Sequence, residues 1–221
     1  MARIALVTGF EGYGGRGRNP AGETAKALDG KAVGGCLVVG RQLPVSYKRL
    51  SRGLTDLMKE HQPHIVISLG LWPGESTIRL ERVGINCADF EIPDNDGAIE
   101  SDMPVAVNGN AAVMATLPNR QIRSALLSAG IPARISSTAG TFLCNATLYS
   151  TLNFAQTMSR APLTGFIHVP YLPEQVVELL TSMETNRQLE LHQRADTASM
   201  DLAMMIRAVE IAIATTAIEL S

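Results

Sequence analysis

The chain has 221 residues, of which 46% are hydrophobic and 18% are charged, and its net charge at pH 7 is −2. This composition excludes a disordered chain, and the balanced charge argues against nucleic acids and anionic membranes as partners. The apolar run near the N-terminus is too short for a signal peptide and no segment reaches membrane-spanning length, so we expect a cytoplasmic protein without membrane contact.

Short apolar runs alternate along the chain with helical patterns, which is typical of a sheet covered by helices. We predict an α/β fold with residues 1–221 as a single domain, an α/β/α sandwich whose mixed, mostly parallel, twisted sheet carries helices on both faces. In chain order the predicted elements are strand 4–8, helix 20–28, strand 37–43, helix 45–60, strand 65–69, an extended segment 78–88, helix 117–129, strand 133–136, helix 144–158, strand 163–169 and helix 197–218.

One cysteine, Cys144, stands where a loop is predicted to become a helix. The N-terminus of a helix has unpaired N–H groups and a partial positive charge, so it favours a thiolate and can donate hydrogen bonds to an oxyanion. The chain has three cysteines, and Cys36 and Cys87 lie far from Cys144 without any Cys-x-x-Cys spacing. This argues against a disulfide framework and a cysteine zinc site, and it makes Cys144 a candidate nucleophile.

A cysteine nucleophile needs a base, which is most often a histidine. His168 lies near the end of an apolar strand, and strand ends and helix starts meet at one edge of an α/β sheet, so His168 has a place to meet Cys144. The other histidines have polar neighbours and are interpreted as solvated. They are His61, His64 and His192.

A carboxylate should complete such a site by orienting the imidazole. Taken alone, a cysteine at the start of an apolar helix is more often a packed thiol, and a histidine in a strand is usually structural too. The residues by themselves therefore raise the hypothesis of a cysteine hydrolase and leave the carboxylate open. The candidates are Glu75, Glu81, Glu91 and Asp94.

Four segments, taken in order, resemble pyroglutamyl peptidase I, the pyrrolidone-carboxylate peptidase family of cysteine exopeptidases. The resemblance spans most of residues 4–173, and its most specific segment is the one around the cysteine. The segments are VTGFE with GG and NP in residues 7–20, ERVGIN with IPDN in residues 81–95, SSTAGTFLCN in residues 136–145 and GFIHVP in residues 165–170.

The resemblance implies a triad of Cys144, His168 and Glu81, which selects Glu81 among the carboxylates. It implies that the cysteine attacks the carbonyl of an N-terminal pyroglutamyl residue, that the histidine protonates the leaving amine and that water hydrolyses the thioester, without a metal or an organic cofactor. The implied substrates are peptides with N-terminal pyroglutamate, and homo-oligomers, commonly tetramers, are usual in the family.

The lactam ring of pyroglutamate is small and neutral, which calls for an apolar slot with few hydrogen-bond partners. Asn19, by contrast, is predicted to cap the helix that Pro20 opens. By resemblance, the candidates for the slot are Phe10, Tyr13, Leu71, Ile92 and Phe142.

Several positions depart from the family pattern near the substrate. Leu71 stands where a glutamine is frequent in bacterial relatives, and Arg16 where an aromatic residue is common. Arg79 replaces the usual serine or threonine, and Glu91 stands where an arginine is frequent. If that arginine assists the oxyanion in relatives, Arg79 or Arg82 would have to take its place. The same fold with a pocket for another amide, or for binding alone, is therefore one alternative.

A second alternative comes from residues 12–17, which fit the pattern G-x-G-x-x-G of a dinucleotide-binding loop. The first glycine, however, lies several residues beyond the strand, and the second strand ends without the acidic residue that binds an adenosine ribose. Arg41 could instead bind a 2′-phosphate, which would make the chain an NADP-binding protein. A loop that shapes the peptidase pocket is the better explanation.

Overall fold

The protein is described by a computed structural model that covers residues 3–186 and 197–220. Its helices and strands follow one another as the alternating sequence pattern predicts. In chain order they are β1 (Arg3–Phe10), α1 (Pro20–Leu28), β2 (Ala32–Val33), β3 (Cys36–Leu43), α2 (Tyr47–His61), β4 (Ile65–Leu71), β5 (Ile78–Glu81), β6 (Val83–Ile85), β7 (Ala112–Met114), α3 (Asn119–Ser128), β8 (Ala133–Ser136), α4 (Leu143–Ala155), β9 (Leu163–Val169), α5 (Pro173–Asn186) and α6 (Leu202–Ile218).

Seven strands form the central sheet in the order β2-β3-β1-β4-β9-β5-β8. Strands β3, β1, β4 and β9 are parallel to one another. Strand β5 runs antiparallel to β9 and parallel to β8, and β2 runs antiparallel to β3. The predicted α/β fold with a mixed, mostly parallel sheet is confirmed.

Helices cover both faces of this sheet because successive side chains of its buried strands point to opposite sides. On β1, Ala5 and Val7 pack in a cluster with residues of α1, α3 and α6. Leu6, between them, packs with Met58 of α2 and Ala155 of α4. The layers are therefore those of the predicted sandwich.

The extended segment predicted for residues 78–88 is in fact two strands in two sheets. Strand β5 belongs to the central sheet, whereas β6 pairs antiparallel with β7 in a separate two-stranded sheet. A Cβ on Gly84 of β6 would lie 2.9 Å from the backbone nitrogen of Tyr149, so glycine at this position lets the small sheet pack directly on α4. Strand β7 lies between the predicted segment 78–88 and the predicted helix 117–129, where no element was predicted.

Helix α5, which begins soon after Pro170, is not among the elements predicted from the sequence. Pro173 is the first residue of α5, a position where the missing N–H of proline costs nothing. The last helix begins at Leu202, later than the predicted residue 197, because Asp201 caps it by accepting a hydrogen bond from the N–H of Ala203.

None of the helices in the described parts of the chain is long and apolar enough to cross a membrane.

Candidate active site

The carboxyl ends of β4 and β9 meet the N-terminus of α4 at one edge of the sheet. His168 on β9 is the register partner of Gly70 on β4. A Cβ at Gly70 would lie 2.7 Å from the Sγ of Cys144 and 2.8 Å from the ring of Phe166, so only glycine leaves room for the thiol here. Cys144 and His168 both line one cavity of about 330 Å³.

Glu81 lies beside His168 because β5 pairs antiparallel with β9. The Nδ1 of His168 and the Oε1 of Glu81 are 2.8 Å apart, and both side chains are fully buried. A carboxylate only accepts hydrogen bonds, so Nδ1 carries the proton and Nε2 keeps its lone pair. Among the described residues, Nε2 has no hydrogen-bond partner. It is thus free to exchange a proton with a group in the cavity.

The imidazole of His168 is enclosed by aromatic rings. The ring of Trp72 meets it edge to face at 4.9 Å, and the ring of Phe166 lies tilted at 4.8 Å. These rings exclude water and fix the plane of the imidazole, so the orientation of its Nε2 depends on packing as well as on Glu81.

Burial sets the resting protonation of the two reactive groups. Desolvation lowers the pKa of His168 below its ordinary value of 6.5, even though Glu81 favours the charged form. Burial also raises the pKa of the Cys144 thiol to about 12; the negative charge of Glu81 adds to this, and Arg79 opposes it. Burial thus opposes the thiolate that the helix N-terminus is expected to favour, because desolvating the charge is costly. Both shifts favour a neutral thiol and a neutral imidazole in the free enzyme.

The first turn of α4 borders the cavity, which Phe142, Leu143 and Cys144 line. Phe142, the N-cap residue, makes no side-chain hydrogen bond to this turn. Asn145 fixes the turn instead, since it accepts a hydrogen bond from the N–H of Ile85 and donates to the carbonyl of Ile85 on β6, each at 2.9 Å. The helix that carries Cys144 is thereby held in place without a capping side chain that would compete for its N–H groups.

No arginine is among the described residues that line this cavity. Arg79 and Arg82 are both described by the structure, and neither lines it. The buried guanidinium of Arg79 donates instead to Glu81 and to Ser136. Glu91 is exposed and lines the cavity.

All five residues predicted for the lactam slot line the cavity. Asn19 also lines it, and caps α1 as predicted by accepting a hydrogen bond from the N–H of Ala21 at 3.0 Å. The sequence reasoning missed Trp72, although it is the only tryptophan of the chain and directly follows a buried strand. The predicted residues that line the cavity are Phe10, Tyr13, Leu71, Ile92 and Phe142.

Of the four carboxylates that the sequence left open, all within the described residues, only Glu81 bonds to His168. Glu75 bonds to Arg134 at 2.5 Å, and Asp94 accepts a hydrogen bond from the N–H of Tyr47 at 2.7 Å. These two carboxylates stabilise the local structure.

The remaining histidines differ from the expectation. His64 is half-buried and accepts a hydrogen bond at Nδ1 from the N–H of Ile4 at 3.2 Å, and His61 is half-buried as well, so neither is simply solvated. His192 lies outside the described residues. In the described ranges, no group of three or more His, Cys, Asp or Glu side chains is arranged to hold a metal ion.

The glycine-rich loop does not have the features of a dinucleotide site. It extends from the end of β1 at Phe10 to the start of α1 at Pro20, and it places Tyr13 at the cavity. Arg41, the residue that could have bound a 2′-phosphate, forms an ion pair with Asp29 at 3.1 Å. The loop therefore shapes the cavity.

The chain is similar to known proteins of one family. The family model described as "Pyroglutamyl peptidase" matches residues 3–219. The pyrrolidone-carboxylate peptidase of Thermococcus litoralis is 43% identical over 208 residues, which cover 94% of this chain and 90% of that protein. The pyrrolidone-carboxylate peptidase of Escherichia fergusonii is 43% identical over 173 residues, which cover 78% of this chain and 80% of that protein.

Solved structures agree as well. The structure of a mutant pyrrolidone carboxyl peptidase from Pyrococcus furiosus superposes with a TM-score of 0.91 at 38% identity and covers 99% of this chain and 100% of that one. The structure of the pyrrolidone carboxyl peptidase from Thermococcus litoralis has a TM-score of 0.90 at 42% identity, with 99% and 94% covered.

Proposed function

Because the chain belongs to the pyroglutamyl peptidase family of cysteine-type hydrolases, we propose that it removes N-terminal pyroglutamate from peptides with Cys144, His168 and Glu81 as its catalytic triad. The observation that carries the assignment of residues is the 2.8 Å hydrogen bond between His168 Nδ1 and Glu81 Oε1 beside the cavity that Cys144 lines. It supplies an oriented base next to a thiol, which is what acyl transfer by cysteine needs.

The reaction begins from the neutral pair. As Sγ of Cys144 attacks the carbonyl carbon of the pyroglutamyl residue, its proton moves to Nε2 of His168, and Glu81 stabilises the imidazolium that results. The carbonyl oxygen becomes an oxyanion that accepts a hydrogen bond from the N–H of Cys144, an interaction worth about 2.7–4 kcal/mol in the transition state. Collapse of this intermediate breaks the amide bond, and the imidazolium donates its proton to the leaving amine.

Water completes the cycle. His168, neutral again, takes a proton from a water molecule that attacks the thioester, and the second tetrahedral intermediate releases pyroglutamate and the Cys144 thiol. Nucleophile, base and acid are all supplied by side chains, so the proposed reaction requires neither a metal nor an organic cofactor.

The slot accounts for the choice of a lactam. Phe10, Leu71 and Phe142 offer apolar surface to a flat, uncharged ring, and an N-terminal ammonium placed against these three side chains would lose its water. Leu71 cannot form the hydrogen bond that a glutamine can make, so other groups of the cavity wall, among them Thr141 and backbone amides, must bind the polar atoms of the lactam. Peptides that begin with an ordinary charged amino group are therefore poor substrates.

Three further expectations belong to the same proposal. Residues 1–221 form one catalytic domain, which the family match over residues 3–219 supports. The enzyme acts in the cytoplasm, and it assembles into homo-oligomers, tetramers by family resemblance. The apolar helix α6 could contribute to such an interface.

The substrate proposal predicts that purified enzyme in reducing buffer releases the fluorophore from a pyroglutamyl amide and not from the matched prolyl amide. The two compounds share a five-membered ring, but prolyl carries a charged secondary amine where pyroglutamyl has a neutral lactam. Fluorescence at equal concentrations of both compounds is the measurement. Turnover of the prolyl amide, or of neither compound by folded enzyme, would show that the slot with Leu71 accepts a different amide.

A further inference from the structure

A buried arginine lies next to the proposed triad. Arg79 on β5 is only 4% exposed, and its Nε donates to the Oε1 of Glu81 at 3.0 Å. This is the same oxygen that accepts the hydrogen bond from Nδ1 of His168. The carboxylate is thus held from one side by the guanidinium and from the other by the imidazole.

The same guanidinium also reaches the loop that leads to the nucleophile. Its Nη2 donates to the Oγ of Ser136 and to the carbonyl oxygen of Thr138, each at 2.8 Å. These residues end β8 and begin the connection to α4, which carries Cys144. One side chain therefore ties the element of the carboxylate to the element of the thiol.

Stacking completes the set of contacts. The guanidinium carbon of Arg79 lies 3.7 Å from the centre of the Trp72 ring, which in turn packs edge to face against His168. A planar guanidinium can stack and donate in its plane at the same time, whereas an ammonium cannot. The contacts at this site therefore depend on arginine itself and not only on a positive charge.

We propose that Arg79 is a positioning residue of this enzyme, which fixes Glu81 against His168, anchors the loop before Cys144 and opposes protonation of the resting imidazole by its charge. This inference rests on the proposed function.

The sign of the charge effect follows from the groups that face His168. They are Glu81 and Arg79 on β5, Glu75 before β5 and Cys144 on α4, while Arg134 on β8 partly balances Glu75. Removing the positive charge of Arg79 makes protonation of the Glu81–His168 pair more favourable, whichever of the two holds the proton. The loss of activity on the acidic side of the pH profile must then occur at higher pH.

The test compares Arg79→Met with Arg79→Lys. For Arg79→Met we expect the acidic midpoint of the kcat/KM profile with a pyroglutamyl amide to rise by about one pH unit. For Arg79→Lys, which keeps the charge but not the planar fork, we expect a midpoint close to wild type and a kcat lower by about tenfold, with KM little changed. Arg134→Met is the control, because this half-exposed cation also pairs with Glu75 but does not touch Glu81.

A second readout does not need turnover. The rate at which iodoacetamide alkylates Cys144, followed by peptide mass mapping across pH, reports on the thiolate, which the charge of Arg79 favours, so its midpoint should rise in Arg79→Met as well. If the wild type turns over no pyroglutamyl amide, the proposed function fails while this profile still tests the role of Arg79. Circular dichroism establishes that each variant is folded.

Unchanged midpoints in folded Arg79→Met, or equal shifts in Arg79→Met and Arg79→Lys, would overturn the inference. If Arg79→Met does not fold, Glu75→Gln decides, because removal of a nearby negative charge should move the alkylation midpoint to lower pH. A midpoint that stays in place in Glu75→Gln would overturn the electrostatic role of this cluster.

Discussion

Replacing Cys144 with alanine is expected to abolish turnover of pyroglutamyl amides, with a loss of about 10⁶-fold in kcat of the kind seen when a catalytic nucleophile is removed. Among the described residues that line the cavity, Cys144 carries the only thiol. The side chain is half-buried and small, so the free energy of unfolding should change by no more than about 1 kcal/mol. Steady-state kinetics and urea unfolding measure the two quantities.

Cys87→Ala is the matched control for this variant. Cys87 is half-buried like Cys144, and it contributes its backbone carbonyl, not its thiol, to the hydrogen bond from Asn145. Its replacement should leave kcat and KM near the wild-type values. Substantial activity in folded Cys144→Ala would refute the assignment of the nucleophile.

Glu81→Gln is the second variant with a large expected effect. An amide can present its N–H to Nδ1 of His168, which would select the wrong tautomer of the imidazole, and such a change typically lowers kcat by about 10⁴-fold. Glu81 is fully buried and does not line the cavity, so KM should change little. The measurement is the full dependence of rate on substrate concentration.

The same substitution should also destabilise the protein, because it leaves the guanidinium of Arg79 buried without its nearest carboxylate. Removing one partner of a buried ion pair typically costs about 3–5 kcal/mol. In the double variant Glu81→Gln with Arg79→Met, urea unfolding should show part of this stability regained, whereas kcat should stay low. Recovery of both together would indicate that Glu81 serves the fold and not the reaction.

The regular elements could be predicted well where their signals are local. Asn19 and Pro20 mark the start of α1 as a cap and a first-turn proline, and the buried strand at residues 163–169 matches β9. The two-stranded sheet of β6 and β7 could not be predicted, because its strands are short and packing on α4 decides their pairing. Proline at the start of α5 was ambiguous, since it ends one element and begins the next.

Only part of the candidate site, likewise, could be predicted from the sequence. The family resemblance points to Cys144, His168 and Glu81, and the fold brings the last two into contact across adjacent strands. The network of Arg79 could not be anticipated, because its partners come from β5, the loop after β8 and the loop after β4, and long-range pairing alone joins them. The helix position of Cys144 could be inferred from the sequence, whereas the burial that opposes a thiolate there could not.

The most direct test of the account is affinity labelling with the chloromethyl ketone of pyroglutamate, read by peptide mass mapping. The account predicts one covalent label on Cys144, loss of activity in proportion to labelling and protection by a pyroglutamyl peptide, because the slot must bind the lactam before the thiol can react. The corresponding prolyl reagent should label far more slowly. Labelling of another residue, or full activity after Cys144 is labelled, would contradict the account.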